Sequence, residues 1–266
     1  MTLPTFIVIG VAKGGTTSIY RYLDQHPDIF MCPDKGPNYF GYEDARNWQW
    51  HDEGAVGEVS PQYFRCPTAA RRIHEVVPDV KLVASLRNPA DRAFSGFLMR
   101  TRRGETVDEA HVELTAESSH VKEGFYYARM KRFYDAFDRE QIKIYLFDEF
   151  RKDPAEVVRD LLGFLGVDTG FVPDTTVKHN PANVPRSALL NRVLYQPRVI
   201  RAAKAVLPAR LERTAKRLRQ RNLSPAPSFP ADLRAQLLDL YREDILRLEE
   251  LVDRDLSGWF EPLRAR

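Results

Sequence analysis

The spacing of apolar positions changes along the chain, and the changes mark out its elements. Phe6-Ile-Val-Ile9 is a continuous apolar run closed by Gly10. That pattern predicts a strand buried on both faces and leading into a tight turn. From Thr17 the spacing becomes helical, with Ile19, Tyr20 and Leu23 on one side and His26-Pro27 closing the segment. Val80 to Leu86 repeats the strand pattern, Arg87-Asn88-Pro89 breaks it, and Ala90 to Leu98 reads as a helix. A helix from about Tyr126 to Phe137 precedes a third strand at Ile142 to Phe147. Pro154 to Leu165 has proline at its start and Gly166 at its end, the asymmetry of a complete helix. Ala231 to Val252 is a long amphipathic helix whose apolar stripe is Leu233, Leu237, Tyr241, Ile245, Leu248 and Leu251. Strands alternating with helices predict an α/β fold of three layers, a central, mainly parallel sheet flanked by helices.

Composition narrows the function classes. With 266 residues, 43% of them hydrophobic, the chain can bury one sizeable core and is not disordered. Only two cysteines, Cys32 and Cys66, argue against a disulfide scaffold and against zinc sites built on paired cysteines. There is no apolar run of about 18 residues to cross a membrane. The first ten residues lack the basic leader and cleavage site of a secretory signal, so the expectation is a cytoplasmic, reduced protein. Net charge is only +3, yet Arg186 to Arg221 holds eleven Lys or Arg and a single acid, Glu212. Apolar residues such as Leu189, Leu194, Val199, Val206 and Leu211 interleave with those charges, and five spaced prolines run from Pro181 to Pro225. We read one domain over residues 1–266, with a basic helical lid or insertion at about 186–225. Such a face can contact an anionic membrane peripherally, grip an acidic acceptor or stay solvated. Aromatic residues are too sparse there for single-stranded nucleic acid, so no nucleic-acid partner is expected.

The densest local chemistry lies in Gly10-Val-Ala-Lys13-Gly14-Gly15-Thr16-Thr17-Ser18. Glycines let a backbone turn sharply and present N–H groups to an anion, and the helix that follows adds its positive end. Lys13 adds charge, and Thr16, Thr17 and Ser18 add hydroxyls. The loop is P-loop-like, but its lysine does not stand directly before the Ser or Thr, so the nucleoside-triphosphate signature fails and a P-loop kinase is a minor alternative.

That segment resembles the 5′-phosphosulfate-binding loop of the sulfotransferase family that uses 3′-phosphoadenosine-5′-phosphosulfate. A second segment, Leu86-Arg87-Asn88-Pro89-Ala-Asp-Arg92-Ala-Phe-Ser95-Gly-Phe97, is similar to the family's 3′-phosphate motif, whose arginine and serine match Arg87 and Ser95. Further similar stretches are His26 to Ile29, Gly57 to Pro61, Gly124 to Tyr126, Phe164 to Gly166 and Leu248 to Trp259, so the likeness covers nearly the whole chain. It looks most like the bacterial soluble branch related to glycan sulfotransferases. The resemblance implies transfer of a sulfuryl group to a hydroxyl of a small-molecule, lipid or sugar acceptor, with adenosine 3′,5′-bisphosphate as product and no metal. It implies that Lys13 neutralises the leaving phosphate, that Gly14, Gly15, Thr16, Thr17 and Ser18 hold the 5′-phosphate, and that Arg87 and Ser95 hold the 3′-phosphate.

One departure stands out. Bacterial members commonly carry a glutamate base in Lys-Glu-Pro, and this chain reads Lys35-Gly36-Pro37-Asn38-Tyr39-Phe40. Glu58, placed just after a strand, is the first substitute for the base, and Asp34 and His51 are others. Alternatively the acceptor is a phenol that ionises readily, or the chain binds nucleotide without turnover. The aromatic cluster of Tyr39, Phe40, Tyr42, Trp48 and Trp50 can line an acceptor pocket, with Phe40 read as core.

Overall fold

Five short segments form the central sheet: β1 (Phe6–Gly10), β2 (Ile29–Met31), β3 (Ala55–Val59), β4 (Lys81–Leu86) and β5 (Ile142–Leu146). They pair in parallel throughout, in the order β2-β3-β1-β4-β5. The helices are α1 (Thr16–Leu23), α2 (Ala69–Val76), α3 (Pro89–Arg103), α4 (Ala110–Glu113), α5 (Ser119–Lys122), α6 (Tyr127–Tyr134), α7 (Phe147–Lys152), α8 (Pro154–Leu165) and α9 (Ala231–Val252). The computed structural model describes residues 3–33, 36–40, 54–103, 109–175, 183–186 and 222–261.

Alternation along β1 divides the core. Phe6 and Val8 pack on one face with Ile19 and Leu23 of α1 and Leu161 and Leu162 of α8. Ile7 and Ile9 pack on the other with Ile73 of α2, Phe97 of α3, Phe133 of α6 and Tyr241 of α9. Two cores on one sheet give the expected three layers. Burying one such side chain fully contributes about 1.5–3 kcal/mol, so both faces are firmly specified. From β1 the chain runs to β2 and β3 on one side and then crosses to β4 on the other. The direction of winding therefore reverses beside β1, and loops leaving the carboxyl ends of β1 and β4 flank a crevice, the usual binding place in such sheets.

Several boundaries depart from the pattern reading. β2 spans three residues, and β3 contains Gly57 and Glu58, so neither gives a clean apolar run. Glu58 lies inside β3 rather than after it. α3 continues past Leu98 to Arg103. The helix expected from Tyr126 to Phe137 spans Tyr127–Tyr134. β5 ends at Leu146, and Phe147 opens α7. The basic segment read as a lid, apart from Arg186, Asn222 and the residues following Asn222, lies outside the described residues. Its two flanks are joined by an antiparallel ribbon, β6 (Asn183–Pro185) with β7 (Leu223–Pro225), extended by Arg186 N–H donating to Asn222 O at 2.7 Å. Among the described residues no helix is long and apolar enough to cross a membrane.

Candidate functional site

β1 ends at Gly10 and α1 begins at Thr16, so Val11 to Gly15 make the turn. The turn is stitched to β4: Val11 N–H donates to Ser85 O at 3.0 Å, and Ser85 Oγ donates to Gly14 O at 2.5 Å. Gly14 N–H closes back on Val11 O at 2.9 Å, so that amide serves the loop itself. A Cβ on Gly14 would lie 2.3 Å from Ser85 O, and Gly15 has φ 94°, so both positions demand glycine. Lys13 also sits at positive φ, 73°. A side-chain-bearing residue held there stores backbone strain, which concentrates at functional loops. Gly15 caps α1 without a side chain, and the first turn holds no acid. The N–H groups of Gly15 and Thr16 have no partner among the described residues, and they stand at the positive end of α1, an arrangement that favours an anion. Thr16 is buried, while Thr17 and Ser18 are half-buried, with the Ser18 hydroxyl bonded to Tyr22.

The loop after β4 comes alongside. Asn88 Oδ1 accepts from Ala90 N–H at 3.0 Å and Asp91 N–H at 3.2 Å, capping α3. Its Nδ2 donates to Trp259 O at 2.7 Å, and the buried Tyr126 hydroxyl donates to Arg87 O at 3.0 Å. With its backbone so fixed, Arg87 sends Nη1–H to Lys13 O at 3.2 Å and lays its guanidinium 4.7 Å from the Phe147 ring centre. Ser95 lies half-buried on α3, with no hydrogen-bond partner among the described residues. The Lys13 ammonium stands 3.8 Å from Met99 Sδ on the same helix. Burial, then the positive charges of Arg87, Arg103, Arg102 and Arg92, lower Lys13 from the ordinary lysine range to about 8. No carboxylate is among the groups that shift it. A bound oxyanion would reverse the shift.

Glu58 and the 36–40 segment form a separate, tighter network. Glu58 is fully buried, and its Oε1 accepts from Ser60 Oγ and Tyr63 Oη, each at 2.5 Å. The same two hydroxyls take backbone N–H groups from the segment: Asn38 N–H to Ser60 Oγ at 3.2 Å and Phe40 N–H to Tyr63 Oη at 3.1 Å. Glu58 Oε2 and Asn38 Oδ1 are buried and have no hydrogen-bond partner among the described residues. Burial, partly offset by the Ser60 and Tyr63 hydrogen bonds, lifts the Glu58 carboxyl to about 7. Gly36 has φ 83°, and a Cβ there would meet nothing within 4 Å. Space for a carboxylate exists, but the backbone is set for glycine. Phe40 is buried as core and Tyr39 is largely exposed.

The structure thus brings Lys13, Gly14, Gly15, Thr16 and Arg87 to one edge, with Ser95 on the adjoining helix. It places Glu58 in β3, one strand over from Lys13, and no described hydrogen bond or ion pair joins the two. Asp34, His51, Tyr42, Trp48 and Trp50 lie outside the described residues. Among the described residues no three His, Cys, Asp or Glu side chains gather as a metal site. Pattern reading missed the parts played by Ser60, Tyr63, Tyr126 and Phe147. Phe147 had a signal: Asp148-Glu149 after it is the acidic start of a helix.

With this geometry in view, comparison with known proteins is informative. The family model for the sulfotransferase domain matches residues 3–199. The crystal structure of a sulfotransferase from Alicyclobacillus acidocaldarius is similar over 98% of this chain and 100% of that one, at 31% identity and a TM-score of 0.72. The bifunctional heparan sulfate N-deacetylase/N-sulfotransferase 1 of Caenorhabditis briggsae is 27% identical over 220 residues, 71% of this chain and 26% of that protein. The heparan sulfate glucosamine 3-O-sulfotransferase 6 of Homo sapiens is 34% identical over 102 residues, 35% of this chain and 30% of that protein. The chain therefore spans well under half the length of these two curated relatives.

Proposed function

The chain belongs to the sulfotransferase domain family, and on that premise we propose that it moves a sulfuryl group from 3′-phosphoadenosine-5′-phosphosulfate to a hydroxyl of a small-molecule, lipid or sugar acceptor. The acceptor oxygen attacks sulfur, the bond from sulfur to the bridging oxygen breaks, adenosine 3′,5′-bisphosphate leaves, and the acceptor proton passes to a base. The observation that carries this reading is the meeting of two cationic elements, the Lys13 loop and Arg87, linked at 3.2 Å beside the reversal of strand order. Gly15, Thr16, Thr17 and Ser18 at the start of α1 suit the 5′-phosphate, with Gly14 shaping the loop. Arg87 and the unpartnered Ser95 hydroxyl suit the 3′-phosphate, the guanidinium fork matching its oxygens. Lys13 supplies positive charge where the leaving phosphate gains negative charge.

Glu58 is the proton acceptor in this reading. Two hydroxyls hold one carboxylate oxygen and leave the other without a partner, and its pKa of about 7 suits a general base. Cys32 and Cys66 are not joined in a disulfide, which suits a reducing, cytoplasmic setting. A second reading, nucleotide binding without turnover, is favoured by Gly36, where no carboxylate stands. Incubation with sulfur-labelled donor and a panel of alcohol, phenol and glycan acceptors separates the two. The proposal expects label on at least one acceptor with equimolar release of adenosine 3′,5′-bisphosphate. Tight binding of that bisphosphate with no label on any acceptor would favour the second reading.

A further inference from the structure

Phe147 touches both anion-binding elements. Its Cδ2 and Cε2 atoms lie so close to Gly15 that a Cβ added there would come within 3.0 and 3.2 Å of them. The other contact is the Arg87 guanidinium, 4.7 Å from the ring centre. Among the described residues Arg87 has no carboxylate at ion-pair distance, and Lys13 O and this ring are its direct contacts, with Asp91 and Asp148 acting on it from farther off. The ring is itself braced. Glu149 accepts from Leu146 N–H at 2.8 Å, Arg254 pairs with Glu149, and Arg254 also donates to Ile144 O at 3.0 Å. Phe147 thus stands at the first position of a helix fixed to the end of β5.

We propose that Phe147 is a positioning residue for the donor nucleotide: its ring holds the Arg87 guanidinium at a set distance from the Gly15 turn and thereby sets selectivity for a 3′-phosphorylated nucleotide. The inference rests on the donor reading above. A long arginine left alone samples many rotamers, and ordering it on binding costs affinity. Stacking on an aromatic face removes that cost beforehand and leaves the guanidinium edge free for phosphate oxygens. Selectivity then depends on a residue that supplies no polar contact of its own.

The test is calorimetric titration of the wild type and variants with adenosine 3′,5′-bisphosphate and with AMP, which lacks the 3′-phosphate. Phe147→Leu keeps apolar bulk and removes the π face, Phe147→Met is a second variant with the same logic, and Phe147→Tyr restores the ring. We expect Leu and Met to weaken the bisphosphate about fivefold while AMP changes less than about twofold, and Tyr to bind as the wild type does. In an Arg87→Ala background, Phe147→Leu should leave the ratio of the two affinities where Arg87→Ala set it. A wild-type ratio in both Leu and Met, or an equal loss for both nucleotides, would overturn the inference while leaving the donor reading intact. A wild type that does not distinguish the two nucleotides would overturn both.

Discussion

The two sides of β1 are built on opposite plans. On the β1–β4 side, among the described residues, the Lys13 ammonium has Met99 Sδ at 3.8 Å and the Arg87 guanidinium has a carbonyl and a ring, with no carboxylate at ion-pair distance of either. On the β3 side the polar groups are consumed in closing the structure on itself, with Glu58 Oε1, Ser60, Tyr63 and two backbone amides bonded to one another. Burial and then neighbouring positive charge depress the basicity of Lys13, which suits a site that takes a multiply charged anion. A site awaiting a neutral hydroxyl can keep a single oxygen in reserve, and Glu58 Oε2 is such an oxygen. On the reading proposed above, the contrast puts the donor on the β4 side of β1 and the acceptor on the β3 side.

The contrast can be broken most sharply at Lys13. Lys13→Ala should lower the transfer rate by about 10²–10³, because charge stabilisation at the leaving group is lost. Product release from labelled donor measures it, and nucleotide affinity should fall far less than the rate. Glu58→Gln comes next. With an aliphatic alcohol, transfer should fall by about 10² while bisphosphate affinity holds, since glutamine can still accept the Ser60 and Tyr63 hydrogen bonds but cannot take a proton. If Glu58 served only to anchor residues 36–40, the glutamine variant would keep its rate.

The pH profile sharpens the same division. Glu58 must be ionised to accept a proton, so kcat/KM should rise with pH through about 7, and Lys13 must be charged, so it should fall above about 8. The ascending limb should vanish in Glu58→Gln. Folding follows the sign of the Glu58 shift: the native carboxyl holds its proton to higher pH than the unfolded one, so stability should decline as pH rises from the ordinary carboxyl range through about 7. Melting curves across that range measure the decline, and the glutamine variant should flatten it.

Smaller effects follow on each side. Arg87→Ala should weaken adenosine 3′,5′-bisphosphate by about 10–100-fold and AMP hardly at all, the value of charge-assisted hydrogen bonds to one phosphate. Gly36→Ala meets no atom, so its cost is the positive φ alone, about 1 kcal/mol, read as a melting temperature lower by about 2–4 °C.

The proposed donor side is legible in the sequence because its parts are local. A strand, a glycine turn and a helix start follow one another within Phe6 to Leu23, and Arg87 and Ser95 lie eight residues apart across a strand-to-helix junction. Long elements with a clear period, such as Pro154–Leu165 and Ala231–Val252, were read with their ends in place. The acceptor side was not legible, because its chemistry is tertiary. The sequence pattern places Glu58 just after a strand, yet it sits inside β3, which pairs with β1 and β2 and buries it completely. Nothing in the spacing of Asn38, Ser60 and Tyr63 announces that their hydrogen bonds converge. Phe147 was absorbed into the strand before it, because an apolar run does not show where pairing stops and a helix begins.

The most direct test of the central claim, that the Lys13 loop and Arg87 are two arms of one donor site, is a calorimetric titration of the unmodified protein with adenosine 3′,5′-bisphosphate, AMP and ATP. The account predicts that the bisphosphate binds at least about tenfold more tightly than AMP, with ATP no better than AMP, because the 3′-phosphate is what Arg87 reaches. Preference for ATP, or the absence of nucleotide binding, would contradict it.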